Sequence, residues 1–306
     1  MKYIMEMQED TESFMVRLAY NIFRPEGKEK GSVVIVHGMA EHRKRYVRFA
    51  EFLAENGYGV ITYDLPGHGE SAQITGHFGY EGWQGLVNSA ARAVARARKE
   101  FPGVPVVLLG HSMGSMISRC FIQEYDDQID GLILTGAPNW RRAVNAGIAL
   151  GKQIRGVRGK TGMSKLMDHL VTGNFNKSVK NPKTAVDWLS YNKQNVQNYL
   201  DDPMCGFGFT VQGYLDELEG MRRMHDLKNY HCRNPKMPVY FLAGREDPCI
   251  GGDAGFADSV DTVKMAGYHN VLTKLYPNMR HEILNETEYQ KVYNDILRWL
   301  DHKLRR

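Results

Sequence analysis

Residues 106–114 read VVLLGHSMG, and this stretch carries the strongest single indication of the fold. Its first four residues are apolar, as expected of a strand that is buried on both faces of a parallel sheet. The next five have the pattern Gly-x-Ser-x-Gly, in which a strand turns sharply into a helix and presents a serine at the turn. Gly110 and Gly114 provide the small residues that such a turn needs on both sides of Ser112. The same pattern also occurs in ordinary turns, so a nucleophilic serine has to be supported by the rest of the chain.

Short apolar runs alternate with helical patterns on both sides of this stretch. Alternation at this rhythm is typical of a parallel, doubly wound α/β sheet. The predicted strands are 14–20, which alternates like an exposed strand, and 32–36, 59–63, 104–109, 131–135, 239–243 and 271–276. The predicted helices are 46–56, 83–100, 113–124 and 286–303.

The alternation stops at Ala137-Pro138 and resumes only with the strand at 239–243. The chain between these points has helical and polar stretches but no convincing strand pattern. We therefore predict a sheet core formed by 1–138 and 234–306, with a mostly helical insertion at 139–233. This insertion is called the cap below.

A nucleophilic serine needs a histidine base, and the base needs a carboxylate to orient it. In this architecture the two partners follow the ends of later strands, in the order Ser, Asp, His. Asp247 and His281 each follow the end of one of the last two predicted strands. We therefore predict a triad of Ser112, Asp247 and His281. The alternative carboxylate is Glu246, and we prefer Asp247 because a proline stiffens the turn directly after it.

An acyl-transfer site also needs backbone N–H groups that stabilise the oxyanion. One donor is the amide of the residue after the nucleophile, here Met113. The other comes from the loop after an early buried strand, where Gly38 lets the backbone approach the substrate and Met39 supplies the amide. The predicted oxyanion hole is therefore formed by the amides of Met39 and Met113.

Five segments together resemble the α/β-hydrolase superfamily, and within it the branch of monoacylglycerol lipases and lysophospholipases, which is related to the serine aminopeptidases. These segments are HGMAEHRKRY (37–46), YDLPGHGES (63–71), GHSMGS (110–115), GREDPCI (244–250) and RHEILNE (280–286). The resemblance implies an α/β-hydrolase fold with an eight-stranded, mostly parallel sheet flanked by helices and a helical cap after the sixth strand. It also implies a Ser-Asp-His esterase without cofactor or metal, and the predicted triad and oxyanion residues match the family's positions.

The substrate is less closely defined than the reaction. Trp188, Phe207 and Phe209 lie near glycines in the cap and are predicted to line an acyl pocket; alternatively they form the cap's own small core. The resemblance favours a monoacylglycerol or another ester of a single acyl chain. The alternatives are a lysophospholipid, an aminoacyl amide of the proline-iminopeptidase type, and a non-catalytic receptor for a small ligand. An aminopeptidase needs a carboxylate for the substrate's amine, which the acids of the cap offer: Asp168, Asp216, Glu217 and Glu219.

Positive charge is concentrated in the first half of the cap. The whole chain has a net charge of +4, whereas residues 139–183 contain ten Lys or Arg and one acid, Asp168. Val144, Ile148, Gly151 and Ile154 fall on one face of a helical pattern among these charges. Such a segment can lie on an anionic membrane surface; alternatively its apolar face packs inward. No aromatics alternate with the charges and no nucleic-acid motif is present, so a nucleic-acid partner is not expected.

Composition is that of a globular protein of 306 residues with 42% hydrophobic residues. No apolar run approaches the roughly 20 residues of a membrane helix, and the first ten residues lack the pattern of a signal peptide. The four cysteines are scattered and are expected to be free thiols in a reducing compartment. We therefore expect a cytoplasmic protein, with peripheral contact to a membrane.

Overall fold

The apolar runs of the sequence form neighbouring strands of one sheet in the computed structural model, which describes residues 3–7, 17–172 and 175–304. The strand order is β1-β2-β4-β3-β5-β6-β7-β8. The strands are β1 (Tyr3–Met7), β2 (Ala19–Phe23), β3 (Gly31–Val36), β4 (Tyr58–Tyr63), β5 (Val106–His111), β6 (Gly131–Thr135), β7 (Val239–Gly244) and β8 (Val271–Tyr276). β2 pairs antiparallel with β1 and β4, and all other pairs are parallel. The predicted fold with eight mostly parallel strands is confirmed.

Helices cover both faces of the sheet, which explains why its central strands are apolar on both sides. These helices are α1 (Val47–Glu55), α2 (Gly82–Glu100), α3 (Met113–Tyr125), α8 (Gly252–Met265) and α9 (Tyr289–Lys303). On one face, the core includes Leu86 of α2, Ile117 of α3 and Val260 of α8. On the other face, it includes Leu53 of α1 and Ile296 of α9.

The chain between β6 and β7 is helical, and the described residues there form no strand of the sheet. Its helices are α4 (Val144–Arg158), α5 (Lys165–Val171), α6 (Lys193–Asp201) and α7 (Val211–His225). The side chains of Asn192 and Thr210 accept hydrogen bonds from the first backbone amides of α6 and α7, which stabilises the start of both helices. The division of the chain into core and cap stays a prediction.

The apolar face of α4 packs inward. Val144 and Ile148 are buried against Val211 and Leu215 of α7. A Cβ atom on Gly151 would lie 2.7 Å from the Leu215 side chain, so this glycine allows the two helices to approach closely. The face is therefore occupied by α7, as the inward-packing alternative requires, and is not available to a membrane.

Four element predictions differ from the structure. Strand β1 (Tyr3–Met7) was not predicted. Of the predicted strand 14–20, residues 14–16 lie outside the described residues, and β2 begins only at Ala19. β2 is buried, not exposed, because it lies inside the sheet between β1 and β4. Helix α9 begins at Tyr289, later than predicted, since the Glu286 carboxylate instead accepts the backbone N–H groups of Arg280 and Tyr191. Helix α8 was not predicted, because its glycines and acids obscure the apolar period.

None of the helices in the described ranges combines the length and apolarity needed to span a bilayer. All four cysteines are free thiols, as predicted.

Candidate active site

Ser112 lies at the sharp turn between β5 and α3. Its φ and ψ are 53° and −119°, a conformation that few residues other than glycine adopt. The tight turn depends on the flanking glycines, since a Cβ atom on Gly114 would lie 2.1 Å from the Val36 carbonyl oxygen. A Cβ atom on Gly110 would lie 2.4 Å from the carbonyl oxygen of Gly114. The backbone thus holds the serine side chain at the carboxyl edge of the sheet, next to the N-terminus of α3.

Asp247 and His281 are brought into direct contact from the ends of β7 and β8. His281 Nδ1 lies 2.9 Å from Asp247 Oδ2, and both side chains are buried. The other Asp247 oxygen, Oδ1, accepts the backbone N–H of Cys249 at 2.8 Å, which fixes the carboxylate. Because Nδ1 faces the carboxylate, Nε2 is the ring nitrogen left for a reacting group. Glu246 is exposed and accepts a hydrogen bond from the Tyr191 hydroxyl instead.

Two opposing effects act on the pKa of His281. Burial disfavours the imidazolium and lowers the pKa, but the Asp247 carboxylate favours the imidazolium and raises the pKa well above its ordinary value. The Cys249 thiol, also buried beside the ring, acts in the same direction as Asp247. The arrangement therefore stabilises the positive charge that His281 acquires when it takes up a proton.

The loop after β3 lies directly against Ser112. A Cβ atom on Gly38 would lie 2.8 Å from Glu41 Oε1 and 3.1 Å from Ser112 Cβ, so a larger residue here would displace these neighbours. The amide of Gly38 donates to Glu41 Oε1 at 2.5 Å, which holds the loop in its conformation. Met39 and Met113 line the same cavity as Ser112. Both residues therefore lie at the cavity next to Ser112, and the role of their amides as oxyanion donors stays a prediction.

A buried ionic network joins the loop after β3 to the loop that carries His281. No sequence pattern indicated this network. Arg45 Nη1 lies 3.0 Å from Glu41 Oε2, and Arg45 Nη2 donates to Glu282 Oε2 at 2.8 Å. Asn195 of α6 donates to the same Glu282 oxygen at 2.6 Å. The network thus links the loop after β3 and Glu282, the residue after His281, to the cap. A paired, hydrogen-bonded network of this kind holds a unique geometry, because breaking it leaves a buried charge unpaired.

A cavity of about 740 Å³ lies above Ser112, between the sheet and the cap. Its walls are mainly apolar, with Met113 from the core and Met167, Val171, Leu218 and Met221 from the cap. This volume is in the range of small-molecule sites. The cavity can therefore hold an extended apolar chain next to the serine.

Two of the three predicted substrate-binding aromatics line this cavity. Trp188 and Phe207 do so, and the Trp188 ring centroid lies 4.9 Å from that of His281. Phe209 is not among the lining residues: it is fully buried, with its ring 4.9 Å from that of Phe78 in the core. Phe209 therefore belongs to the main core, together with Phe78, and not to a small core of the cap's own.

Two further cavity residues were not singled out in the sequence. The His111 ring lies 4.7 Å from the His281 ring, and burial lowers the pKa of His111 to about 4, so it is neutral at ordinary pH. Cys249 is buried beside His281 and also lines the cavity. Both adjoin predicted site residues in the sequence, and this adjacency was the only signal that could have found them.

Within the part of the chain that the structure describes, two groups of side chains have closely spaced atoms of the kind that bind metals. Asp247, Cys249 and His281 form one group, and His42, Asp202 and Cys205 the other, with ligand atoms within 4.8 Å of one another. In the second group, His42 Nε2 is already 2.8 Å from Asp202 Oδ2, and this hydrogen bond links the loop after β3 to the cap. A site without metal or cofactor stays a prediction.

Comparison with known proteins agrees with this architecture. The family model described as Hydrolase_4, serine aminopeptidase S33, matches residues 27–288. A monoacylglycerol lipase of Mycolicibacterium smegmatis is 28% identical over 285 residues, which cover 93% of each chain. A phospholipase of Bacillus subtilis is 24% identical over 85% of this chain and 91% of its own. A carboxyl esterase of Bacillus coagulans has the same fold, with a TM-score of 0.91 over all of both chains at 24% identity. The predicted relation to the monoacylglycerol lipases and the prediction of a carboxylic ester hydrolase are confirmed.

Proposed function

The chain belongs to the serine aminopeptidase S33 family, Hydrolase_4, and on that basis we propose that it hydrolyses esters of single-acyl-chain lipids, in the manner of a monoacylglycerol lipase. The observation that carries the proposal is the placement of Ser112, His281 and the loop with Met39 around one mainly apolar cavity. An apolar cavity fits an acyl chain, and a serine beside a histidine–aspartate pair fits attack on its ester carbonyl.

In the proposed reaction, His281 Nε2 accepts the proton of Ser112 while Oγ attacks the ester carbonyl carbon. The amides of Met39 and Met113 stabilise the oxyanion that forms. The tetrahedral intermediate collapses, the C–O bond to the alcohol breaks, and His281 returns the proton to the leaving alkoxide. Water then attacks the acyl carbon while His281 takes its proton; the bond from this carbon to Ser112 Oγ breaks, His281 returns the proton to Oγ, and the fatty acid is released. Asp247 orients His281 and stabilises the imidazolium in both steps.

A lysophospholipase is the second candidate. The excess of Lys and Arg in residues 139–183 would attract a phosphate-bearing substrate to the cap, and a phospholipase is among the relatives of this chain. Attraction over a distance does not create a binding site, so the uncharged monoester remains the proposal. An aminopeptidase would need an ionised carboxylate in the cavity, and a non-catalytic receptor would have no need of the bond between Asp247 and His281.

We expect a panel of two decanoyl esters and one aminoacyl anilide to separate these functions. The glycerol monodecanoate should have the highest kcat/KM, the decanoyl lysophospholipid a lower one, and the aminoacyl anilide no measurable turnover. Initial rates at fixed ionic strength provide the measurement. Faster cleavage of the lysophospholipid would favour the second candidate, and faster cleavage of the anilide would contradict an esterase.

We also propose that the cap docks on an anionic lipid surface near the mouth of the cavity. Leu170 is 45% exposed and also lines the cavity, so the cavity opens next to it. Three further apolar side chains in this part of the cap are exposed: Val157, Met163 and Leu166. Exposed cations from the same segment lie among them in sequence: Lys152, Arg158, Lys160 and Lys165. Apolar side chains surrounded by cations are typical of proteins that bind the membrane interface.

The double variant Lys160→Gln/Lys165→Gln should bind vesicles containing phosphatidylglycerol roughly 30-fold more weakly, because each cation near such a surface contributes about 1 kcal/mol. Vesicle sedimentation at low salt measures the partition coefficient. The matched control is Lys28→Gln/Lys236→Gln, which removes the same charge from exposed positions of the core. Equal weakening by both variants would show a nonspecific charge effect and contradict docking through the cap.

A further inference from the structure

The cavity contains an acid that the proposed reaction does not use. Glu217 of α7 is only 7% exposed and lines the cavity beside Leu218 and Met221. Its Oε2 atom is buried and has no hydrogen-bond partner within the described ranges 17–172 and 175–304. A buried polar atom without a partner destabilises a fold, so the carboxyl group of a residue that lines a ligand cavity is a candidate for a hydrogen bond to the ligand.

Two neighbouring charged groups of the cavity have contacts of their own. Asp168 accepts hydrogen bonds from the Tyr214 hydroxyl and, at 3.4 Å, from Thr172 Oγ1. The Arg141 guanidinium lies 5.1 Å from the centre of the Phe175 ring. Asp216, next in sequence, also has an unpartnered oxygen, but Asp216 is not among the residues that line the cavity. Of these acids, Glu217 is therefore the one with free hydrogen-bonding capacity towards a ligand.

Burial also determines the protonation state of Glu217 when a ligand binds. Burial raises its pKa to about 8, with Arg141 lowering the pKa and Asp168 raising it. At neutral pH the side chain is then mainly a neutral carboxylic acid, which both donates and accepts a hydrogen bond. The natural partner of a neutral acid is a neutral hydroxyl group, which also donates and accepts.

We propose that Glu217 is a specificity-determining residue, whose carboxyl group binds a hydroxyl of the substrate inside the cavity. The hydroxyl belongs either to the alcohol part of the ester or to the acyl chain, and in both cases the hydroxylated substrate is preferred. This inference rests on the proposed function, because the bound ester must be cleaved at Ser112 of the same cavity.

The test uses propyl decanoate as the reference substrate. Glycerol monodecanoate adds hydroxyls to the alcohol part, and propyl ω-hydroxydecanoate adds one to the acyl chain. The wild type should cleave one of these two esters with a kcat/KM about tenfold higher than that of propyl decanoate. The ester that is preferred shows whether the recognised hydroxyl belongs to the alcohol part or to the acyl chain. Glu217→Met should abolish this preference, so that the hydroxylated ester and propyl decanoate are cleaved with the same kcat/KM. Glu217→Gln should keep most of the preference, since the amide also donates and accepts.

Thermal unfolding separates this role from a structural one. Removal of an unpartnered buried acid should leave the Tm of Glu217→Met equal or higher. Glu219→Gln is the matched control on the same helix, because Glu219 is 43% exposed and pairs with Arg222; it should change neither the preference nor the Tm.

Three results would overturn the inference. A lower Tm of Glu217→Met with equal loss of activity on all three esters would show a structural role. If Glu217→Gln lost the preference as completely as Glu217→Met does, recognition of the hydroxyl would need an ionised carboxylate and not a neutral acid. A wild type that cleaves all three esters equally would show that no hydroxyl is recognised. A wild type that cleaves none of them would instead contradict the proposed function itself.

Discussion

Replacement of Ser112 by alanine is expected to lower kcat for ester hydrolysis by about 10⁶-fold, as the loss of a serine nucleophile does in other triad enzymes. The physical reason is that no other described side chain at this turn can form the acyl-enzyme, while the cavity and the oxyanion amides stay in place. The same change should abolish covalent labelling by a fluorophosphonate. Steady-state rates on p-nitrophenyl decanoate and gel fluorescence of the labelled protein measure the two effects.

The matched control is Ser259→Ala in α8, since the Ser259 hydroxyl is buried and has no hydrogen-bond partner in the described part of the chain. This variant should keep wild-type labelling and rate. Full labelling of Ser112→Ala would remove Ser112 from the proposed role and point to another nucleophile. Substrate binding should change little in Ser112→Ala, because the oxygen contributes mainly after attack.

Replacement of Asp247 by asparagine should lower kcat by about 10⁴-fold, as in other enzymes of this class. With its oxygen still accepting the Cys249 amide, the asparagine turns its NH2 group towards His281 Nδ1 and selects the tautomer with the proton on Nε2, which cannot act as the base. The neutral amide also no longer stabilises the imidazolium. The pH profile provides a second measurement. In the wild type His281 must be neutral to act as a base, so kcat/KM should rise with pH through a pKa above the usual histidine range, since Asp247 raises it. In Asp247→Asn the remaining kcat/KM should still rise with pH, but through a lower pKa than in the wild type.

The adjacent acid gives the control for this variant. Glu246→Gln removes one negative charge from an exposed position and should leave both the rate and the pH profile near the wild type. An equal loss of activity in both variants would assign the effect to the charge of the loop. A pH profile that does not move in Asp247→Asn would show that the contact with Asp247 does not control the ionisation of His281.

Several features of the site follow from local sequence patterns. The elbow at 110–114 was predictable because it requires glycines at fixed distances from the serine, and a Cβ atom at Gly114 would indeed lie 2.1 Å from another backbone oxygen. Asp247 and His281 were predictable because parallel strands end at the same edge of a sheet, so residues just past β7 and β8 must lie near each other. Both inferences use short-range rules that the apolar period of the strands makes visible.

Other features required the folded chain. Arg45 and Glu282 are 237 positions apart, and nothing in either segment indicates that they form an ion pair. Phe207 and Phe209 belong to the same short segment, yet only Phe207 reaches the cavity, because Phe209 packs on Phe78 in the core.

The sequence alone was enough to predict the six strands β3 to β8, their order along the chain and the residues that follow their carboxyl ends, since these depend on the period of apolar residues and on turns within a few positions. Only the tertiary structure decided which face of α4 is buried, which side chains of the cap line the cavity, and that Glu217 lies there without a partner. Those properties depend on packing between segments far apart in the chain, where the free energy comes from contacts that no local pattern records.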